Sequence, residues 1–209
     1  MINTRELLQN GIAELGLNST GHQIDSFITY LQELMKWNKA HNLTGLKTER
    51  DIIIKHFLDS LLFAKVLPEE TSSVIDIGSG AGFPGIPLSI MNPDHEVFLV
   101  EPKKKKAIFL RHMVHHLGLK KTEVMDKRVE DISEVQVDAA LTRALFSIKE
   151  FVVKAEGVLN NDGVYILSKG LNVKAELENS MLKEMAIRDF QLPFIHDLRY
   201  LIMIPRRNI

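Results

Sequence analysis

A chain of 209 residues, 45% hydrophobic and 25% charged, has the make-up of an ordinary globular protein, with room for one domain and an N-terminal extension. It contains no cysteine, which excludes disulfides, thiolate metal sites and a cysteine nucleophile. The net charge of −1 gives no bulk attraction to nucleic acid, the N-terminus has no apolar signal segment, and no apolar run approaches the ~18 residues of a membrane span, so a monomeric cytoplasmic protein is expected.

The chain divides near residue 70 into a helical extension, 1–70, and a main domain, 71–209. In the first segment Leu8, Ile12 and Leu15 share one helical face, and Gly16 suits its end. Thr20 and Gln23 have the spacing of a capping box and open a second helix, with Ile24, Phe27, Ile28, Leu31, Leu34 and Met35 at helical intervals. Thr48 and Asp51 open a third, carried by Ile53, Phe57, Leu61 and Ala64 to Pro68. Asp59 and Ser60 are expected to make local bonds that fix this helix. Trp37, at a helix end, could stack on a base or seal the helical layer onto the core.

Beyond residue 72 strands and helices alternate. Strands are expected at 73–77, 96–101, 122–125, 137–142 and 163–168, the last after the turn Asn160-Asn161-Asp162-Gly163. Helices are expected at 84–91, 104–117 (ended by Gly118) and 171–183, and two last strands near 185–191 and 198–204. This alternation predicts an α/β fold with a mostly parallel seven-stranded sheet, covered on both faces, whose ligand site lies at the C-terminal strand ends.

One such end carries Asp76-Ile77-Gly78-Ser79-Gly80-Ala81-Gly82-Phe83-Pro84-Gly85. A glycine-rich turn between strand and helix lets backbone come close to a ligand. The dinucleotide pattern G-x-G-x-x-G needs glycine where Phe83 stands. The pattern present is D-x-G-x-G-x-G, the first motif of S-adenosylmethionine-dependent methyltransferases. In that reading Gly78, Gly80 and Gly82 curve under the methionine and ribose, with Asp76 beneath. Glu101 ends the second strand about 20 residues beyond Gly78, where an acid can accept from both ribose hydroxyls.

Arg143 follows the fourth strand at the expected mouth of the site. It could reach guanine O6, a phosphate or the cofactor's carboxylate, or be a structural arginine paired with Asp138 or Glu130. Lys169, after the fifth strand, could reach phosphate or be a solvated strand-end lysine. Lys103 to Lys106 open a helix, where cations are mildly unfavourable; this hints at an external anion, against the plainer reading of a solvated face. His112, His115 and His116 lack a metal-ligand pattern and read as surface or packing residues, so no metal is expected.

The sequence resembles the glucose-inhibited division protein B family. The matching stretches are Trp37-Asn38-Lys39-Ala40-His41-Asn42-Leu43-Thr44, His56-Phe57-Leu58-Asp59-Ser60-Leu61, Asp76 to Gly85 with Pro87-Leu88, and Thr142-Arg143-Ala144 with Lys169-Gly170. The resemblance implies a Rossmann-like S-adenosylmethionine-dependent methyltransferase fold. It implies a cofactor pocket using Gly78, Phe83, the Val129-Glu130 pair and Arg143. It further implies methyl transfer to N7 of a guanine in small-subunit ribosomal RNA, as RNA or ribosomal particle, with Arg206 and Arg207 as remaining basic tail contacts. Neutral guanine N7 already has a lone pair, so the reaction needs alignment rather than a general base. The chain agrees: after the fourth strand it reads Leu141-Thr142-Arg143-Ala144-Leu145-Phe146, not the Asn/Asp-Pro-Pro-aromatic run common in enzymes methylating exocyclic amines. A methyltransferase of the same fold with a small-molecule or protein substrate, and a non-catalytic ribosome-assembly factor, are the alternatives.

Overall fold

The computed structural model describes residues 3–171, 173 and 185–208. The first helix, α1 (Thr4–Glu14), starts from a capping box in which Asn3 accepts from the Glu6 N–H. It ends at Gly16, whose φ of +73° lets its N–H turn back to Ala13. The second, α2 (Gly21–His41), has the Thr20–Gln23 capping box read from the sequence. Asn42 closes it in the left-handed conformation at φ 48°.

The third helical stretch is not the single helix expected to run to Pro68. It is α3 (Glu49–Ile52), then π-helical turns over Ile53–Leu58, then α4 (Asp59–Leu61) and a short tight turn at Phe63–Lys65. The π stretch winds wider than an α-helix, a departure often found beside functional sites.

The sheet is built from β1 (Ser73–Ile77), β2 (Glu96–Val100), β3 (Thr122–Met125), β4 (Val137–Arg143), β5 (Leu159–Lys169), β6 (Ala186–Gln191) and β7 (Leu198–Pro205). Their order is β3-β2-β1-β4-β5-β7-β6. All neighbours are parallel as far as β5, and β7 runs antiparallel to both β5 and β6. The helices between strands are α5 (Gly85–Met91), α6 (Lys104–His116) and α7 (Ile148–Ala155). The pattern reading places no element where α7 stands. Its signal was present: Ser147 caps the Glu150 N–H, and Ile148, Phe151, Val152 and Ala155 form the buried face. The expected turn Asn160–Gly163 lies within β5 as an irregularity, where pairing with β4 jumps from Leu159 to Val164. The helix expected over 171–183 falls almost wholly outside the described residues.

Alternate strand residues feed two apolar layers. Val74, Leu99, Leu141 and Ile166 point to the face that holds Leu8, Phe27, Phe57 and Phe109, so the N-terminal helices share a core with the sheet. Ile75, Val100, Ala140 and Leu167 point to the other, with Phe151 and Tyr165. Burial of this kind, at about 25 cal/mol per Å², is the main force setting the strand register.

Candidate active site

The turn after β1 is held tightly to β2. The N–H groups of Gly78 and Ser79 both donate to the Val100 carbonyl, at 2.9 and 3.1 Å, and the Ser79 hydroxyl donates to the Asp76 carbonyl at 2.8 Å. Gly78, Gly80 and Gly82 have φ of 80°, 61° and 102°, a region costly for residues with a side chain. At Gly80 a Cβ would meet only the Gly78 carbonyl oxygen and the Lys106 ammonium, both at 3.8 Å, so the position has room. That opening is where backbone offers itself to a ligand.

Asp76 is completely buried beneath the turn, where it accepts the Gly85 N–H at 2.9 Å and so ties β1 to the start of α5. Its other oxygen has no hydrogen-bond partner, and burial pushes its carboxyl up to about 7. Glu101 follows β2, 5% exposed. One oxygen accepts the Gly80 N–H at 3.0 Å and the other the Lys103 N–H at 2.9 Å. Two backbone donors thus fix the carboxylate, and each oxygen keeps a lone pair. Val129 is buried and Glu130 exposed in the turn that follows β3, with Glu130 paired to Lys154. A fixed acid beside an open glycine turn fits the ribose and amino-acid portions of S-adenosylmethionine.

Beside this turn lies a cleft of about 150 Å³ bounded by Thr44, His56, Gly78, Phe83, Lys106 and Arg143. Arg143 ends β4, and its guanidinium meets the π-helical stretch. Nη1 donates to the Lys55 carbonyl at 3.0 Å and to Asp59 Oδ2 at 3.1 Å, and Nη2 donates to His56 Nδ1 at 2.9 Å. Its structural partner is therefore Asp59, while Asp138 binds Ser72 and Ser73 and Glu130 binds Lys154. Asp59 makes long-range bonds rather than the expected local ones. Ser60 does bond locally, donating to the His56 carbonyl at 2.6 Å.

His56 stacks on Phe83 with ring centres 4.4 Å apart, and the Arg143 guanidinium lies 5.2 Å from the same ring. Tyr30 of α2 stacks on Phe83 from the opposite segment and donates to the Ala81 carbonyl. Burial, then the neighbouring Arg143 charge, lower the His56 imidazole to about 3, so it stays neutral. On its far side His56 Nε2 stands 2.6 Å from the Thr44 hydroxyl. Thr44 sits in a turn braced by buried Asn38, which accepts the Thr44 N–H at 2.9 Å and donates to the Leu46 carbonyl at 3.3 Å.

The remaining candidates lie around or away from this cleft. Lys169 donates to the Phe146 carbonyl and so holds the turn after β4, where Leu145 presses over Gly78. Arg206 donates to the Leu159 carbonyl at the start of β5, which puts it and Arg207 at the far end of the sheet from the glycine turn. Trp37 packs against Phe109 and His112, and His112 bonds Glu33 at 2.7 Å. Among the described residues no cluster of His, Asp or Glu is arranged to hold a metal. The sequence reading did not single out Thr44 or His56 as site residues. Both occur in the quoted family stretches, yet periodicity gives no sign that they meet Arg143.

The strand order with its antiparallel β7, the acid–glycine turn after β1 and the carboxylate after β2 together define a Rossmann-like S-adenosylmethionine-dependent methyltransferase. Solved structures agree on the fold. A ribosomal protein L11 methylase from Lactobacillus delbrueckii subsp. bulgaricus superposes with a TM-score of 0.58 at 13% identity, over 73% of this chain and 79% of that one. A SAM dependent methyltransferase from Aquifex aeolicus gives 0.55 at 18% identity, over 73% and 93%.

The sequence is more specific. Residues 23–200 match the family model described as GidB, rRNA small subunit methyltransferase G, and the chain belongs to that family. The relative from Geotalea uraniireducens, named Ribosomal RNA small subunit methyltransferase G, is 38% identical over 97% of this chain and 96% of its own. The relative of the same name from Methylobacillus flagellatus is 36% identical over 98% and 99%.

Proposed function

We propose that the protein transfers the methyl group of S-adenosylmethionine to N7 of a guanine in small-subunit ribosomal RNA. When bound, the cofactor supplies an electrophilic methyl on a sulfonium. Glu101 would take the ribose hydroxyls, the turn Gly78 to Gly82 would hold the amino-acid portion, and Val129 and Glu130 would complete the pocket. Asp76 would support the cofactor from beneath, keeping the turn in shape through Gly85.

The observation that carries the reading is the absence of an available base at a cleft rich in donors. Of the groups lining the cleft, His56 alone could take a proton near neutrality. Its two ring nitrogens face Arg143 and Thr44, and its affinity for a proton is depressed. A site without a base suits a ring nitrogen that attacks as it stands, not an amine or hydroxyl that must lose a proton.

Arg143 spends three of its five N–H groups on Lys55, Asp59 and His56, leaving two to steer the base or a flanking phosphate. Lys106 lines the cleft, exposed Lys103, Lys104 and Lys105 continue outward from it, and this patch supplies backbone attraction that the net charge does not. Arg206 and Arg207 would meet only a distant part of a large particle. The test is incubation of the purified protein and S-adenosylmethionine with small-subunit particles from cells lacking the gene, followed by mapping of 7-methylguanosine. New 7-methylguanosine at one position supports the reading; methyl transfer to another base atom, or none, overturns it.

A further inference from the structure

The relay from Arg143 to Thr44 fixes where each proton lies. Arg143 is always charged and has only donors, so His56 Nδ1, at 2.9 Å from Nη2, must accept. A neutral imidazole that accepts at Nδ1 carries its proton on Nε2. That proton points at Thr44 Oγ1, 2.6 Å away, so the threonine oxygen accepts there. The Leu46 N–H donates to the same oxygen at 3.2 Å. A hydroxyl has two lone pairs and one proton. Both lone pairs are taken, and the proton remains. Among the described residues no acceptor is bonded to it. Thr44 is therefore an obligatory donor, locked in that polarity by a guanidinium two residues away in the relay, and it lines the cleft beside Gly78, Phe83 and Arg143.

We propose that Thr44 is a specificity-determining residue whose hydroxyl donates to O6 of the target guanine. This rests on the guanine-N7 reading above. The purine edge next to N7 is what tells guanine from adenine: guanine presents the O6 acceptor, adenine the N6 amino donor. Arginine's usual two-pronged grip on O6 and N7 would occupy the lone pair that must attack. A single donor on O6 leaves N7 free. It rejects adenine because two donors would face each other, with a buried polar group left unpaired. The arrangement also gives His56 a purpose in a reaction without a base: it sets the direction of a hydrogen bond rather than moving a proton.

The experiment compares guanine with 2,6-diaminopurine, which has an amino group in place of O6, at the methylated position of reconstituted small-subunit particles. Single-turnover rates are measured at saturating S-adenosylmethionine for the wild-type protein, Thr44→Val and Thr44→Ser, with cofactor affinity measured by calorimetry. The wild-type protein and Thr44→Ser should prefer guanine by about tenfold to a hundredfold or more. Thr44→Val should lose most of that preference, react about tenfold to a hundredfold more slowly with guanine, and bind the cofactor as before. Because the preference is a ratio within one variant, partial misfolding does not produce it. A Thr44→Val protein that keeps the wild-type preference overturns the proposal. So does a drop in cofactor affinity with an unchanged saturated rate, which would assign the hydroxyl to the cofactor, and so does a Thr44→Ser protein as slow as Thr44→Val. A wild-type protein that forms no 7-methylguanosine on the guanine particle overturns the underlying function, and is told apart from these outcomes by failing before any substitution is made.

Discussion

Asp59 and Arg143 lie 84 residues apart in the chain and meet at 3.1 Å, carboxylate to guanidinium. The same carboxylate is 3.2 Å from Nε of Arg199 on β7, near enough for charge pairing although that N–H is not aimed for a hydrogen bond. The Asp59 side chain is 5% exposed. One buried carboxylate thus neutralises two arginines drawn from different strands. Asp59→Ala would leave Arg143 without its counter-charge and Arg199 with only the more distant Asp197, at 4.0 Å, and breaking a buried pair by removing one partner costs about 3–5 kcal/mol. Urea unfolding should show a loss on that scale; a change under about 1 kcal/mol would mean that water already shields the pair.

Arg143→Ala should lower the single-turnover methylation rate on the order of a hundredfold, the scale of a lost transition-state contact, with a smaller effect on cofactor affinity. An unchanged rate would make Arg143 a purely structural residue. The wild-type rate at saturating cofactor should be nearly flat from about pH 6 to 8.5, since a general base near neutrality would give a rising limb. An inflection near pH 7 that disappears in Asp76→Asn would come from the acid beneath the turn, not from the reacting groups.

Asp76 also shapes stability. Burial raises its carboxyl to about 7 from an ordinary 3.8, so between those values the folded state holds a proton that the unfolded state has lost. Its contribution to stability is therefore fully present below about pH 4 and declines as pH rises to about 7. Asp76→Asn keeps the shape without the ionisation. Calorimetric melting from pH 4.5 to 8.5 should show the variant gaining on the wild type as pH rises, then running parallel above about pH 7.5. A constant gap across the range would place the titration elsewhere.

Glu101→Gln should weaken S-adenosylmethionine binding by about 1–3 kcal/mol, because it removes charge from an acceptor and sets an amide N–H against one of two backbone donors. Titration calorimetry gives the number, and circular dichroism should stay the same. A loss under about 0.3 kcal/mol would reduce Glu101 to a clasp between the glycine turn and α6.

The parts of this site that the sequence made legible are those built by neighbours in the chain. The turn Asp76 to Gly85 and the acid at the end of β2 are set by local spacing, and each stands where that spacing put it. The cluster around Arg143 depends on contacts between Thr44, His56, Asp59 and a strand more than 80 residues later. Nothing in helical periodicity marks the π-helical turns over Ile53–Leu58, because one extra residue per turn leaves Phe57 and Leu61 on an apolar face all the same. Helix α7 is hidden from the sequence for a different reason. Phe151, Val152 and Val153 favour strands, and burial of one helical face outweighed that preference.

Phe83 is wedged between Tyr30, His56 and the guanidinium of Arg143. Two of those three belong to the first 70 residues, and the ring itself belongs to the glycine turn. A border drawn at residue 70 therefore separates the chain by topology but not by chemistry. A polypeptide beginning at β1 would keep every strand, yet its one arginine at the cleft would lose the carboxylate and imidazole that orient it. The helical layer of a distant methyltransferase could not be grafted in its place without bringing a matching ring, acid and histidine.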